Sequence, residues 1–162
     1  MPKDVILTPD GLEKLHEELE HLSTVRRREV ADRIKVAREF GEIAENSEYD
    51  DAKNEQAMLE TRIAALEEKL RAATVVDAAQ VPKDAVGIGS IVHIKDEKTG
   101  KSLKYMIVGS TETDPAADPP RLSNESPVGR ALMGGKRNDV VSVQVPRGPV
   151  RELKITKIDV GL

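Results

Sequence analysis

The sequence has no cysteine and no tryptophan, and aromatic residues make up only 2% of its 162 positions. The absence of thiols excludes disulfides, thiolate nucleophiles and cysteine-based zinc sites. The shortage of rings argues against a large aromatic-lined pocket or an extended base-stacking platform. Histidine is also sparse: His16, His21 and His93. On a helix, positions 16 and 21 stand about 140° apart, so they make no metal pair and read as ordinary surface or groove residues. No apolar run is long enough to span a membrane. The start, Met1-Pro2-Lys3-Asp4-Val5-Ile6-Leu7, carries too short an apolar stretch for a signal peptide, so the cytoplasm is the expected compartment and no membrane partner is expected. The formal net charge of −4 argues against a general nucleic-acid coat protein, although local patches can still matter.

What remains is rich in charge and helical pattern. Charged residues are 33% and hydrophobic residues 38%, which suits a soluble protein of one or two small domains with a helix-rich part. Thr8-Pro9 predicts a helix start, with Thr8 as cap and Pro9 at the first position. Leu12, Leu15, Leu19 and Leu22 then follow a heptad seam. Strict continuation would meet Arg26, Glu29 and Arg33, all charged. The apolar stripe moves instead to Val25, Val30, Ile34 and Ala37, which predicts a shifted face or a local irregularity midway. A second helix is predicted from the seam Tyr49, Ala52, Gln56, Leu59, Ile63, Leu66, Leu70 and Ala73. Asn46 or Ser47 is its expected cap, and Thr74, Val75 and Val76 its fading end. The short connection requires the two helices to return antiparallel, as a coiled-coil hairpin.

Beyond residue 76 the period changes. Residues 77–86 read as a linker. Ile91, Val92 and Ile94, then Leu103, Tyr105 and Ile107, alternate as strands around the turn Glu97-Lys98-Thr99-Gly100. Residues 114–120, with three prolines, read as a surface loop. Ser126-Pro127 predicts another capped helix, running through Met133 to Gly134-Gly135. Val140, Val141, Val143 and Val145 predict a strand, and Leu153, Ile155 and Ile158 a last one. The expected organisation is α+β: residues 1–76 a coiled-coil hairpin with a tip at 41–49, and residues 87–162 a small α+β domain.

The tip concentrates acid. Glu39, Glu42, Glu45, Glu48, Asp50 and Asp51 occur with no basic residue between Arg38 and Lys53. Acids at a helix start favour the macrodipole, and solvated turns are often charged, so a purely structural role accounts for much of this. The sharper possibility is chemical. Glu42 and Glu45 are three residues apart and share a face if the segment is a helical turn. Carboxylates are hard ligands suited to Mg²⁺ or Mn²⁺, but two on an exposed tip cannot enclose an ion; a second macromolecule would have to complete the site. Behind the tip, Arg26, Arg27, Arg28, Arg33, Lys35 and Arg38 outnumber Glu29 and Asp32. Such a shaft could face RNA phosphates, or could be a solvated face with intrahelical pairs such as Glu29–Arg33.

Gly41-Glu42-Ile43-Ala44-Glu45-Asn46-Ser47-Glu48-Tyr49, set between two long helical patterns, resembles the tip motif of the bacterial Gre family of transcript cleavage (elongation) factors. Leu7-Thr8-Pro9-Asp10-Gly11, Val86-Gly87-Ile88-Gly89-Ser90, Ser126-Pro127-Val128-Gly129-Arg130-Ala131-Leu132-Met133-Gly134 and Asp139-Val140-Val141 are similar to further segments of that family, in the same order and over the full chain. The resemblance implies a C-terminal domain resembling the FK506-binding proteins. It implies a factor that is not itself an enzyme. Such a factor binds bacterial RNA polymerase, inserts its coiled coil through the secondary channel and stimulates the polymerase's own cleavage of backtracked RNA.

By position, Glu42 and Glu45 correspond to the catalytic tip acids. The resemblance implies that they share Mg²⁺ with the polymerase near the nascent RNA 3′ end and that the free protein holds none stably. Asn46, Ser47 and Tyr49 correspond to tip-shaping residues, and Glu125, Ser126 and Pro127 to the polymerase-docking segment. Arg26, Arg33 and Arg38 are the candidate RNA-facing bases. The family usually carries Asp where this chain has Glu42, a carboxylate one methylene longer. A monomer is expected, and DNA binding is carried with the transcription-factor assignment. Rival readings are a same-fold channel-binding inhibitor, a prolyl isomerase or chaperone, and a bare coiled-coil adapter. Tyr105 is the only aromatic of the C-terminal half, which disfavours a proline pocket there.

Overall fold

The computed structural model describes residues 5–41 and 46–162. These form two compact units, one of residues 12–72 and one of residues 5–11 with 73–162. The first differs from the expected 1–76 hairpin because residues 5–11 and 73–76 belong with the second.

The first unit is a helical hairpin. Helix α1 spans Pro9–His21, a π-helical turn spans Leu22–Arg26, and α2 spans Arg27–Glu39; α3, Ser47–Arg71, returns alongside. Cross-seam ion pairs prove the direction, since partner numbers fall as the first strand of the hairpin rises: Glu18 with Arg62, Arg26 with Glu55, Arg33 with Glu48. At 1.5 Å per residue, the 25 residues of α3 measure about 37 Å. Val30 and Ile34 of α2 pack with Ala52, Leu59 and Ile63 of α3, flanked by Leu19, Leu22 and Tyr49. Full burial of each Ile or Leu stabilises this seam by roughly 1.5–3 kcal/mol.

The π turn explains the broken heptad. Continuing the Leu12–Leu22 seam gives positions 26, 29, 33 and 36. A π turn holds one residue more than an α turn, which moves every later seam position by one, to 27, 30, 34 and 37. Val30, Ile34 and Ala37 are the buried residues of α2. Ser23 Oγ donates to the Leu19 carbonyl at 2.6 Å and Thr24 Oγ1 to that of Glu20 at 2.7 Å, so hydroxyls occupy acceptors where the ladder is disturbed. Val25, expected on the stripe, instead lies on the turn and is exposed.

Two expectations near residue 73 are corrected. Helix α3 stops at Arg71, with Ala72 as its C-cap, so Ala73 is not a seam residue. Ala73–Val75 is a strand, β2, paired in parallel with β1, Val5–Leu7. Thr74 and Val75 are β-branched and lose less freedom in an extended chain than in another helical turn. Leu7 is fully buried.

The expected linker at 77–86 is ordered and anchored. Asp77 caps a 3-10 turn at Ala78–Gln80 through a reciprocal capping box with Gln80. Val81 and Val86 are buried, Val86 within the core of the sheet.

That sheet has five strands: β3 Ser90–Asp96, β4 Ser102–Val108, β5 Arg121–Ser123, β6 Val140–Val143 and β7 Arg151–Val160, in the order β5-β4-β3-β7-β6. Only β4 and β5 run parallel. The period-2 pattern places Val92, Ile94, Ile107, Val143, Leu153 and Ile155 on one face, where they pack with Val86 and Leu132. A register shift between His93 and Ile94 skips Thr156 on β7, and this irregularity lets Ile94 and Ile155 both reach the core. Strand β6 ends at Val143, so Val145 lies beyond the strand expected to contain it, half-buried against the core. The three-residue β5 was not anticipated. Helix α4, Pro127–Leu132, carries Leu132 into the same core. Among the described residues, no helix is long and apolar enough to cross a membrane.

Candidate functional site: the hairpin tip and a sheet-domain docking surface

Glu42 and Glu45, the expected catalytic and metal-binding acids, lie outside the described residues. What the structure does describe is how their two anchor points are held. Helix α2 ends at Phe40, whose N–H bonds the Ala37 carbonyl. Gly41 follows with φ +134°, a region that strains any residue with a Cβ. On the far side Asn46 reaches in two directions. Its Oδ1 accepts the N–H of Tyr49 at 3.1 Å, capping α3, and its Nδ2 donates to the Ala37 carbonyl at 2.5 Å. One side chain thus satisfies an orphan donor at the start of α3 and adds a second donor to the Ala37 carbonyl at the end of α2. Ala37 and Ala52 are buried just behind it, and their small side chains let the helices approach closely.

Asn46 is therefore the cap expected of Asn46 or Ser47; Ser47 is the first residue of α3 and exposed. Tyr49 packs on the hairpin core, and the Arg38 guanidinium carbon lies 5.7 Å from its ring centroid. That spacing is a cation–π contact.

The basic shaft is organised differently from the expectation. Glu29 pairs with Arg26 at 2.5 Å, not with Arg33. Arg26 and Arg33 both hydrogen-bond Glu55 on α3, Arg26 at 2.8 Å, and Arg33 also lies 3.6 Å from Glu48. Arg27 makes a two-point bond to Glu60, both contacts at 2.9 Å. The Arg33 guanidinium, then that of Arg26, holds the Glu55 carboxyl below its ordinary range. Arg27 does the same for Glu60. In the free chain, Arg26 and Arg33 thus serve as rungs between helices while keeping 36% and 43% of their side-chain surface exposed. The residue types at positions flanking the heptad seam could have pointed to Glu55 and Glu60; reading each helix separately missed them.

The second candidate site lies on the sheet unit. Ser126 Oγ accepts the N–H of Gly129 at 3.1 Å and donates to the Ser123 carbonyl at 2.7 Å. Pro127 occupies the first turn of α4, where its missing N–H costs nothing. A Cβ on Gly129 would stand 2.0 Å from the Ser123 oxygen, so glycine is required for this approach. Arg130 Nη2 donates to the Glu125 carbonyl at 3.0 Å. Glu125, Pro127, Arg130 and Ala131 line a shallow depression of about 440 Å³ together with Ser142 and Gln144. The family resemblance pointed to the first two; Ser142 of β6 and Gln144 just beyond that strand emerge only from the sheet order.

Among the described residues, no group of three or more His, Cys, Asp or Glu is placed to hold a metal. His93, read as an ordinary residue, pairs through Nε2 with Asp159 at 3.0 Å on the sheet surface.

Comparison with known proteins decides the family. A family profile described as "Transcription elongation factor, N-terminal" matches residues 5–75, and one described as "Transcription elongation factor, GreA/GreB, C-term" matches residues 81–160. The chain belongs to the GreA/GreB family of transcription elongation factors. Among curated GreA/GreB relatives, the transcription elongation factor GreA of Thermoanaerobacter pseudethanolicus is 54% identical over 98% of this chain and 99% of its own. That of Acetivibrio thermocellus is 54% identical over 96% of each. Among solved structures of the family, the GreA factor homolog 1 of Thermus thermophilus is 30% identical, covering 97% of this chain and 99% of its own, with a TM-score of 0.43.

Proposed function

We propose that this GreA/GreB family member binds bacterial RNA polymerase as a monomer, through the surface around Glu125, Ser126 and Pro127. Its hairpin enters the secondary channel, and cleavage of backtracked RNA by the polymerase's own active centre is stimulated. The protein is a cofactor of that reaction and not an enzyme in its own right. The observation that supports this reading best is the Asn46 clamp, in a chain whose two halves both match elongation-factor profiles. The clamp holds the ends of α2 and α3 together where they flank the tip acids, which suits a hairpin that positions chemistry.

Glu42 and Glu45 supply hard oxygen donors of the type Mg²⁺ prefers, but two carboxylates are too few to retain it alone. The remaining ligands would come from the polymerase. When bound there, Mg²⁺ contributes charge stabilisation and a more acidic water. The part of this chain is to hold two carboxylates at the nascent RNA 3′ end, with Ser47 and Tyr49 shaping their surroundings. Arg38, beside the tip, is the described base best placed to meet RNA phosphate. Arg26 and Arg33 could do so only by sharing or leaving Glu55.

The test is cleavage of a purified backtracked complex with Glu42→Ala and Glu45→Ala. Each variant is expected to compete with the wild type for polymerase while losing stimulated cleavage. Full cleavage by either variant would reject the assigned role of that acid.

A further inference from the structure

Phe40 stands out in a chain with so few rings. It is the only phenylalanine and is 80% exposed, more than any other large hydrophobic residue among those described. Its backbone is fixed: Phe40 is the C-cap of α2, and its N–H bonds the same Ala37 carbonyl that Asn46 Nδ2 holds from across the turn. Gly41, at φ +134°, then turns the chain, with no atom of the described residues within 4 Å of where its Cβ would be. The exposed aromatic side chain is thus carried on a clamped base. Only Gly41 separates it from Glu42 in the sequence, and two Cα–Cα steps span at most about 7.6 Å.

We infer that Phe40 is a nucleobase-stacking contact that positions the unpaired 3′ segment of backtracked RNA beside the tip acids. The inference rests on the function proposed above. Stacking fits the observations for three reasons. A ring exposed in water gains most from a partner that is flat and itself apolar-faced, and every base offers such a face regardless of sequence. The ring costs little entropy to order because it has only two side-chain torsions and its backbone is already held. Arg38, two residues before it and held at the Tyr49 ring, places a cation on the same helix end, suited to the phosphate of a stacked nucleotide. The scarcity of aromatics excludes an extended stacking surface, but one ring is enough for one nucleotide. Contact with an apolar protein wall is the competing use of an exposed phenylalanine.

The experiment uses full-length protein with purified backtracked complexes whose RNA ends in 2-aminopurine, in a normal base or in an abasic nucleotide. Wild type, Phe40→Leu and Phe40→Trp are compared for base fluorescence and for cleavage rate at subsaturating factor. With a normal base, Phe40→Leu is expected to lower the rate by about tenfold, within the roughly 5- to 150-fold that a base–aromatic stack is worth. Phe40→Trp is expected to stay near wild type. Wild type but not Phe40→Leu should quench the 2-aminopurine, and on abasic RNA the two should cleave alike. Equal rates for Phe40→Leu and wild type on normal RNA overturn the inference. So does a Phe40→Leu defect that persists undiminished on abasic RNA, which would instead mark contact with protein. If the wild type fails to stimulate cleavage at all, the proposed function falls, and the stacking role falls with it.

Discussion

Replacing Asn46 by alanine should loosen the tip without disturbing the rest of the hairpin. The substitution removes the acceptor for the Tyr49 N–H, 3.1 Å away, and the donor to the Ala37 carbonyl, 2.5 Å away. Loss of an Asn N-cap costs about 1 kcal/mol, with a range of roughly 0.5–2. Loss of the second hydrogen bond adds about 0.5–1.5 kcal/mol, toward the lower end because Ala37 O can also accept from Phe40 N–H. The sum, about 1–3 kcal/mol, corresponds to local opening that is about 5- to 150-fold more populated. Amide hydrogen exchange of Tyr49 and Asp50 reads this directly, since both N–H groups bond to Asn46. Asn46→Asp separates the two contributions. It keeps the acceptor that caps α3 but sets a carboxylate against the Ala37 carbonyl, so Tyr49 should stay protected while the tie to α2 is lost. Exchange in Asn46→Ala within about 0.5 kcal/mol of wild type, the range of an ordinary surface substitution, would refute the double-clamp reasoning.

The cross-seam ladder makes a pH prediction. Glu55 and Glu60 have carboxyls held below their ordinary range by Arg33 with Arg26, and by Arg27. A depressed carboxylate pKa means that these pairs stabilise the hairpin fully above the unfolded pKa, and that this contribution is lost as pH falls through the folded value. Helicity should therefore decline on acidification below the usual glutamate range, sooner at high salt; a Glu55→Gln/Glu60→Gln variant with an unchanged acid midpoint would contradict this. On the sheet unit, Gly129→Ala should displace the Ser123–Ser126 turn, because its Cβ would meet the Ser123 oxygen at 2.0 Å. Polymerase affinity is expected to drop with a milder effect for Ser126→Ala, which removes one cap worth about 1 kcal/mol; an unaltered binding titration for Gly129→Ala would reject a docking role for this turn.

How much of this was legible in the sequence varied with the range of the interaction. The seam of α3 was readable because Ala52, Leu59, Ile63 and Leu66 follow one unbroken period, and all four are buried. The caps at Thr8 and Ser126 were readable because capping is local: each side chain accepts the N–H three residues on. The break after Leu22 was visible as a displaced stripe, but its cause was not, since a π turn leaves no composition signal. The β1–β2 pair was missed because three residues are too few to show a period, and their partners lie 68 positions apart in the register Val5–Ala73. The same distance problem hid the ion-pair ladder. Glu29 and Arg33 sit at a favourable helical spacing, yet Arg33 finds Glu55 across the hairpin. At the tip, the pattern of residue types located the acids, while the dual hydrogen bonding of Asn46 could not be read until the two helix ends were brought together.

The most direct measurement of the central claim is the length of RNA in a purified, backtracked bacterial polymerase complex incubated with Mg²⁺, with and without this protein. The expected result is rapid shortening of the RNA from its 3′ end in the presence of the protein, followed by resumed extension when nucleotides are added. The contradicting result is a protein that binds the complex, as shown by competition or co-migration, and leaves the RNA at its original length or slows its intrinsic cleavage.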